Sequence, residues 1–110
     1  MKFLCLVYLD RGLAPEAGVM EQYQALGKAM REAGVIVDSG QLAETSATKT
    51  IRIVNDEPSV IDGPQSTDGD ETARPIAYYL LERPSLDEAL AWASRIPAAT
   101  YGSTEVRTAH

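Results

Sequence analysis

Two segments of the chain are apolar on both sides of an extended strand. They are residues 2–9 and the segment IAYYLLE at 76–82. Because successive side chains of a strand point to opposite faces, such segments are typical of a sheet that is covered on both faces. Tyr78 and Tyr79 are neighbours in the second segment, so one is expected to contact the helices and the other to lie on the opposite face. The pattern fits either assignment.

Two further segments have the spacing of an amphipathic helix. In the first, Pro15 suits the first turn, and Gly34 suits the position after the last turn. Its apolar stripe recurs every three or four residues: Val19, Tyr23, Leu26, Met30 and Ala33. The second, PSLDEALAWASRIP, has Ser85 and Glu88 at capping-box spacing and ends at Pro97. Its predicted inner face consists of Leu86, Ala89, Leu90, Ala93 and Ile96.

Shorter segments predict the remaining strands. VIVDSGQL follows the first helix and predicts a strand that ends near Ser39. TKTIRIVN alternates Ile51 and Ile53 with more polar positions, which predicts a third strand with one face more exposed to solvent than the other. PSVID is its expected hairpin partner. STEVRT closes the chain as a strand, and the stretch from Gly63 to Arg74 is expected to be a loop.

The predicted order of elements is β-α-β-β-β-β-α-β. Without the central hairpin this order becomes β-α-β-β-α-β, the ferredoxin-like arrangement of an α+β fold. Two helices can cover only one face of such a sheet, yet two of its strands are apolar on both faces. A second copy of the sheet is the most economical cover for the other face. We therefore expect a homodimer whose sheets face each other as a dimeric α/β barrel.

Length and charge narrow the classes of function. The chain has 110 residues, which suits a single domain over residues 1–110. Its formal net charge of −6 argues against nucleic acid and anionic membrane surfaces as partners, because phosphate binding needs a basic patch. No apolar run approaches the roughly 20 residues that span a bilayer. The N-terminal segment lacks the cleavage region of a signal peptide, so a cytoplasmic protein is expected.

The sequence offers no pattern for a metal or a disulfide. Cys5 is the only cysteine, and its buried stretch favours a small hydrophobic role over that of a nucleophile. His110 is the only histidine, and a single histidine makes no metal site. Asp68, Asp70 and Glu71 lack the twelve-residue spacing of an EF-hand calcium loop. No cofactor is therefore expected.

Polar residues at strand ends are the first candidates for a site, because strand ends and their loops commonly carry function. Asp10 follows the first strand directly, and Asp38 and Ser39 end the second. A solvated strand end is the structural alternative at each position. Tyr23 lies on the inner stripe of the first helix, where contact with a pocket competes with a plain core role.

The stretch VIDGPQSTDGDE, residues 60–71, combines acids with turn-forming residues. Asp62 and Gly63 carry a strong hairpin signal, and Pro64 fixes the exit from the turn. These roles are conformational, and we favour them over a catalytic role. Arg52 and Arg74 could bind a carboxylate, although Arg74 could equally pair with the acidic loop beside it.

Several segments, taken in order, resemble a known family. They are MKFLCLVYLD, EAGVIVDSGQL, VIDGP, YYLLE, LDEALAWASRIPAA and GSTEVR. Together they resemble the YCII-related family, and best the subgroup named for its Asp-Gly-Pro-Phe (DGPF) motif. The resemblance implies the dimeric α/β barrel fold. It also implies relatedness to cofactor-free enzymes that act on small organic molecules, in which an Asp after the first strand and a His on the first helix form the suggested acid–base pair.

The chain departs from the family pattern at several positions. The family's Asp corresponds to Asp10, but its His position falls at Tyr23. A tyrosine with a pKa near 10 is a poor general base at neutral pH. Gln65 stands where the subgroup usually has Phe, and the loop that follows is about three residues longer than in the subgroup. The usual Gly pair before the next strand appears here as Ile76 and Ala77.

Three hypotheses for function follow. The first is a cofactor-independent lyase or isomerase that acts on a small molecule, with Asp10 as proton acceptor. The residues expected to bind the ligand are Tyr8, Tyr23, Asp38, Asp62, Tyr78 and Tyr79. The second is a non-catalytic dimeric binding or accessory module that lacks the family's His–Asp pair. The third is a structural protein without a ligand.

Overall fold

The structure, a computed structural model, describes residues 1–9, 17–65 and 74–110. Its strands are β1 (Lys2–Leu9), β2 (Ile36–Gln41), β3 (Lys49–Val54), β4 (Glu57–Asp62), β5 (Ala77–Glu82) and β6 (Gly102–Ala109). Its helices are α1 (Val19–Glu32), α2 (Leu86–Ala93) and the short α3 (Ala98–Tyr101), with one 3-10 turn at Thr45–Ala47. The order of the predicted strands and of the two main helices is confirmed.

Four strands form one antiparallel sheet in the order β2-β5-β1-β6, and β3 and β4 form a separate hairpin. The long strand β1 pairs with β5 on one side and with β6 on the other. With the hairpin set aside, the chain therefore has the β-α-β-β-α-β order of the ferredoxin-like fold. The α+β architecture expected from the sequence is confirmed.

The helices cover one face of this sheet. Phe3, Cys5 and Val7 of β1 and Leu81 of β5 lie on that face, and each is at most 1% exposed. Helix α1 contributes Leu26 and Met30 to the core. Helix α2 contributes Ala89 and Ala93, the turn after it contributes Ile96, and α3 contributes Ala98. This face carries the hydrophobic core.

The opposite face, which we call the open face, is less covered. Its apolar centre consists of Leu4, Leu6 and Tyr8 of β1 with Tyr78 and Leu80 of β5, and all five side chains are half-buried. The strand register pairs Leu4 with Leu80 and Leu6 with Tyr78, so these side chains lie side by side on one surface. The sequence pattern that indicated two apolar faces is therefore present in the sheet.

Helix α1 begins later than the sequence indicated. It starts at Val19, and Gly18 before it has a positive φ of 86°, which is not helical. Pro15, the predicted first turn, lies outside the described residues. At the other end Gly34 has a φ of 68°, and the Val35 N–H donates to the Met30 carbonyl. The predicted glycine after the last turn is confirmed.

Helix α2 is capped as predicted, but its inner face is narrower. The Glu88 N–H donates to the Ser85 hydroxyl at 3.3 Å. Leu86 and Leu90, which the spacing assigned to the inner face, are 45% and 44% exposed. The small Ala89 and Ala93 allow the helix to lie close to the sheet, and the two leucines are left on its flank. The helix ends at Ala93, and Pro97 precedes α3.

The hairpin, which we call the arm, is exposed on both faces. Its turn is formed by Asn55 and Asp56, whose φ values of 52° and 66° fit a type I′ turn. The predicted hairpin partner is therefore confirmed, and Asp62-Gly63 forms the turn at the end of β4, where Gly63 has a φ of 110°. Ile51 and Ile53 are 64% and 67% exposed, so the described part of the chain does not cover the face that was expected to be less polar. In the described residues, no helix is long and apolar enough to cross a membrane.

Candidate functional site

A cleft of about 230 Å³ lies where the edge strand β2 meets β5 and the first turn of α1. It is lined by Met20, Tyr23, Ser39, Gly40, Gln41, Ala77, Tyr78 and Tyr79. Three of the eight lining residues are tyrosines, and we call this site the tyrosine cleft. The helix supplies the first tyrosine and β5 supplies the other two.

The strand register determines how the two neighbouring tyrosines are directed. Tyr79 lies opposite Cys5 of β1 and Ser39 of β2, on the face that the helices cover. Tyr78 lies opposite Leu6 and Gly40, on the open face. The alternative that the sequence left open is thereby decided. The lining of the cleft thus includes two neighbouring residues of β5 whose side chains are directed to opposite faces of the sheet.

A glycine and a carboxylate fix the position of Tyr78. A Cβ atom added to Gly40 would lie 3.0 Å from Cε1 of the Tyr78 ring, so the absent side chain leaves room for that ring. The Tyr78 hydroxyl donates to Oδ2 of Asp38 at 2.9 Å. The other carboxylate oxygen, Oδ1, accepts the Ser39 N–H at 2.9 Å. Both oxygens of Asp38 are therefore engaged, and the carboxylate is held in one orientation.

The surroundings of both β5 tyrosines favour the neutral phenol. The hydrogen bond to Asp38 raises the pKa of Tyr78, because it stabilises the protonated hydroxyl. Burial raises the pKa of Tyr79, with a further contribution from Tyr23. Both groups are thus protonated at neutral pH. Since the Tyr78 proton is directed at Asp38, the lone pairs of its oxygen remain able to accept a hydrogen bond from a ligand hydroxyl.

The cleft brings together about half of the residues that the sequence predicted for the site. Tyr23, Tyr78 and Tyr79 line it, and Asp38 is bonded to one of them. Tyr8 lies on the open face opposite Ser103 and is not among the lining residues. Asp62 lies at the root of the arm, where it pairs with Lys49. Asp10 lies outside the described residues.

Other lining residues were not recognised as site residues from the sequence. Gly40 had a usable signal, because a glycine inside a strand often marks a close approach by another group. Met20, Gln41 and Ala77 had none. Gln41 and Ala77 enter the cleft through the pairing of β2 with β5, which brings together segments about forty residues apart, and Met20 enters it from α1.

Several other candidates lie away from the cleft. Burial raises the pKa of the Cys5 thiol to about 11, which supports its predicted role as an unreactive core residue. Arg52 lies on the exposed arm. Arg74 lines two wider depressions of about 450 and 430 Å³ between the 3-10 turn and β5. Within the described ranges no three His, Cys, Asp or Glu side chains form a group that could hold a metal ion. Asp68, Asp70 and Glu71 lie outside those ranges.

Comparison with known proteins identifies the fold and the family. The structure is similar over 100% of its length, and over 94% of the other chain, to 5-chloro-2-hydroxyhydroquinone dehydrochlorinase (TftG) from Burkholderia phenoliruptrix AC1100 in complex with 2,5-dihydroxybenzoquinone. The TM-score is 0.53 and the sequence identity is 16%, so the similarity concerns the fold. A search of curated proteins finds no match. The family model of the YCII-related domain matches residues 1–109, and the chain therefore belongs to the YCII-related family.

Proposed function

We propose that the protein binds a small, planar, hydroxylated aromatic or quinone-like molecule in the tyrosine cleft. The observation that carries this proposal is the set of three tyrosines, one of which is held by Asp38 with its oxygen able to accept a hydrogen bond. Aromatic walls suit a flat ring, because rings stack or meet edge to face. Neutral phenols suit a ligand with hydroxyl or carbonyl groups.

The size of the cleft supports a ligand with one ring. Its volume of about 230 Å³ is below the roughly 300–1,000 Å³ of sites for drug-sized ligands. A cavity of about 150 Å³ accommodates benzene, so a ring with a few oxygen substituents is a suitable occupant. The ligand bound to the structural neighbour, 2,5-dihydroxybenzoquinone, has this size and chemistry.

The reaction that fits this ligand is proton abstraction without a cofactor, as in a lyase or isomerase. Asp10 is the proposed proton acceptor. Leu9, the residue before it, ends β1 at the same end of the sheet as Ala77 and Gln41 of the cleft. Tyr23 occupies the position at which the family resemblance places a histidine, and it lines the cleft. This agreement supports the cleft as the family's site.

A non-catalytic binding module is the second candidate. The observation that favours it is the phenol of Tyr23 at the histidine position. A phenol does not exchange protons near neutral pH as an imidazole does, so the acid–base pair is incomplete. The two candidates share one site and differ in whether a bound ligand is turned over.

Calorimetric titration tests the binding proposal. The probes are 2,5-dihydroxybenzoquinone, 1,2,4-trihydroxybenzene and, as a control of similar size, 1,2-cyclohexanediol. We expect the planar compounds to bind at least about tenfold more tightly than the saturated ring, which corresponds to about 1.4 kcal/mol. Equal affinity for all three, or no binding of any, would contradict the proposal.

The variant Asp10→Asn separates the two candidates. If Asp10 is the proton acceptor, turnover falls by a factor of about 10²–10⁴ while the ligand still binds. Asp56→Asn removes a carboxylate from the tip of the arm and serves as the matched control. A wild-type protein that binds the planar ligands but converts none of them is the result expected of a binding module.

The proposal includes a homodimer in which the open faces of two sheets pack together as an α/β barrel. The half-buried leucines and tyrosines of the open face support it, because they form a continuous apolar surface. Sedimentation velocity at micromolar concentration is the test. A stable monomer would contradict the dimer and would leave the ligand proposal standing.

A further inference from the structure

The arm has an apolar face that the other described residues of the chain do not cover. The strand register places Ile51 opposite Val60 and Ile53 opposite Pro58, so these four side chains lie on one side, which we call the first face of the arm. Ile51, Ile53 and Val60 are 64%, 67% and 63% exposed. Val54 and Ile61 lie on the second face, together with polar residues.

The arm is nevertheless a regular structure. Six residue pairs form its ladder, and its root is fixed by the bond from the Gly63 N–H to the Thr48 carbonyl at 2.7 Å. The Thr50 hydroxyl donates to the Gly63 carbonyl at 2.8 Å. An isolated two-stranded hairpin is marginally stable in water, and an exposed apolar strand is prone to aggregation. Such an arm therefore calls for a covering partner.

The number of residues on the open face and on the arm indicates that the arm contacts a second copy of the chain. The strand register assigns thirteen residues to the open face of the sheet and six to the first face of the arm. A stable interface involves roughly 20–30 residues on each side. The open face alone falls well short of this number, and the two surfaces together approach it. With the arm included, a dimer built on the open face would come close to the size of a stable interface.

Charge favours a second copy over a membrane. On the first face the charge of Lys49 is balanced by Asp62, so this surface is neutral and does not repel another acidic chain. The tip carries Asp56 and Glu57, and the whole chain has a net charge of −6, which opposes an anionic bilayer. A twofold dimer also gives each of the two arms an equivalent partner.

We infer that the β3–β4 hairpin is an intermolecular arm whose first face packs against the second copy of the chain in the dimer. The inference rests on the proposed dimer and adds the element that completes its interface. It is independent of the ligand in the tyrosine cleft.

Sedimentation velocity of three full-length proteins tests this inference. They are the wild type, the first-face variant Ile51→Ser/Ile53→Ser and the second-face variant Val54→Ser/Ile61→Ser. We expect the first-face variant to raise the dimer dissociation constant about a hundredfold, because two apolar side chains in each of two arms lose their burial. The second-face variant should stay within about threefold of the wild type.

Folding and assembly can be separated in this experiment. None of the four substituted side chains belongs to the core, so the far-ultraviolet circular dichroism of the variants should match the wild type. If both variants dimerise as tightly as the wild type, the arm proposal is overturned and the face-to-face dimer stands. A wild type that is monomeric overturns both, and the arm would then belong to an interface with a different protein.

Discussion

The two faces of the four-stranded sheet differ in their cover, although the same strands supply both. Leu81 and Leu80 are consecutive in β5. Leu81 is fully buried against the helices, whereas Leu80 on the open face is half-buried. Cys5 and Leu6 show the same contrast in β1. One face is thus covered by the helices of the same chain, whereas the described residues leave the other face only half-buried.

This contrast also describes the candidate site. Tyr79 is directed to the covered face and packs beside the core, where burial raises its pKa. Tyr78 is directed to the open face, where a hydrogen bond to Asp38 holds its hydroxyl. The tyrosine cleft lies at the sheet edge where the two faces meet. A ligand there would contact one residue that packs against the core and one that a surface carboxylate positions.

The largest expected effect comes from removing the same side chain from each face. Leu81→Ala should lower the free energy of unfolding by about 2–5 kcal/mol, because it leaves a cavity in the core. Leu80→Ala should lower it by about 1 kcal/mol at protein concentrations low enough to keep the chain monomeric. Urea unfolding of both variants measures the difference. Equal losses would show that the two faces are equally covered.

A smaller effect is expected at the helix that covers the core. Ser85 caps α2 through its hydroxyl, which accepts the Glu88 N–H. Ser85→Ala should cost about 1 kcal/mol of stability, and Ser85→Asp should restore most of it, because aspartate also caps helices well. Thermal unfolding compares the two variants. A Ser85→Asp protein as unstable as Ser85→Ala would contradict the capping role.

The smallest expected effect is on the ionisation of Tyr78. Its folded-state pKa is raised above the ordinary value of 10 by the hydrogen bond to Asp38, so the associated stabilisation is complete below pH 10 and is lost as the pH rises through the raised value. Asp38→Asn should move this pKa back toward 10, and Asp56→Asn on the arm should leave it unchanged. Ultraviolet difference spectroscopy reports phenolate formation. No change in Asp38→Asn would refute the pairing.

Local pattern was enough to predict most of the fold. Alternation and helical spacing gave the order of strands and of the two main helices, and Gly34 and Ser85 gave correct helix ends. The predicted pairing of TKTIRIVN with PSVID is also confirmed, and Gly63 has the positive φ of 110° that its predicted turn role requires. One error has a local cause. The leucines of α2 share a stripe with its alanines, yet only the alanines lie close to the sheet.

The candidate site was less accessible to sequence analysis, because it depends on strand register. Tyr78 and Asp38 are forty positions apart, and their hydrogen bond exists because β2 pairs with β5 in one particular alignment. A bulge between Ile36 and Asp38 shifts that alignment and sets which face Asp38 occupies. No periodicity in a single segment reports such a shift. The sequence pattern of the two arm strands likewise did not predict that both faces of the arm are exposed.

The central claim is that the tyrosine cleft is the ligand site, and the most direct measurement compares two tyrosines of the open face. The dissociation constant for 1,2,4-trihydroxybenzene, which keeps its hydroxyl protons at neutral pH, is measured by calorimetry in the wild type, in Tyr78→Phe and in Tyr8→Phe. Each substitution removes one hydroxyl, but only Tyr78 lines the cleft. We expect Tyr78→Phe to weaken binding about tenfold and Tyr8→Phe to change it by less than about twofold. Wild-type affinity in Tyr78→Phe, or an equal loss in both variants, would contradict the claim.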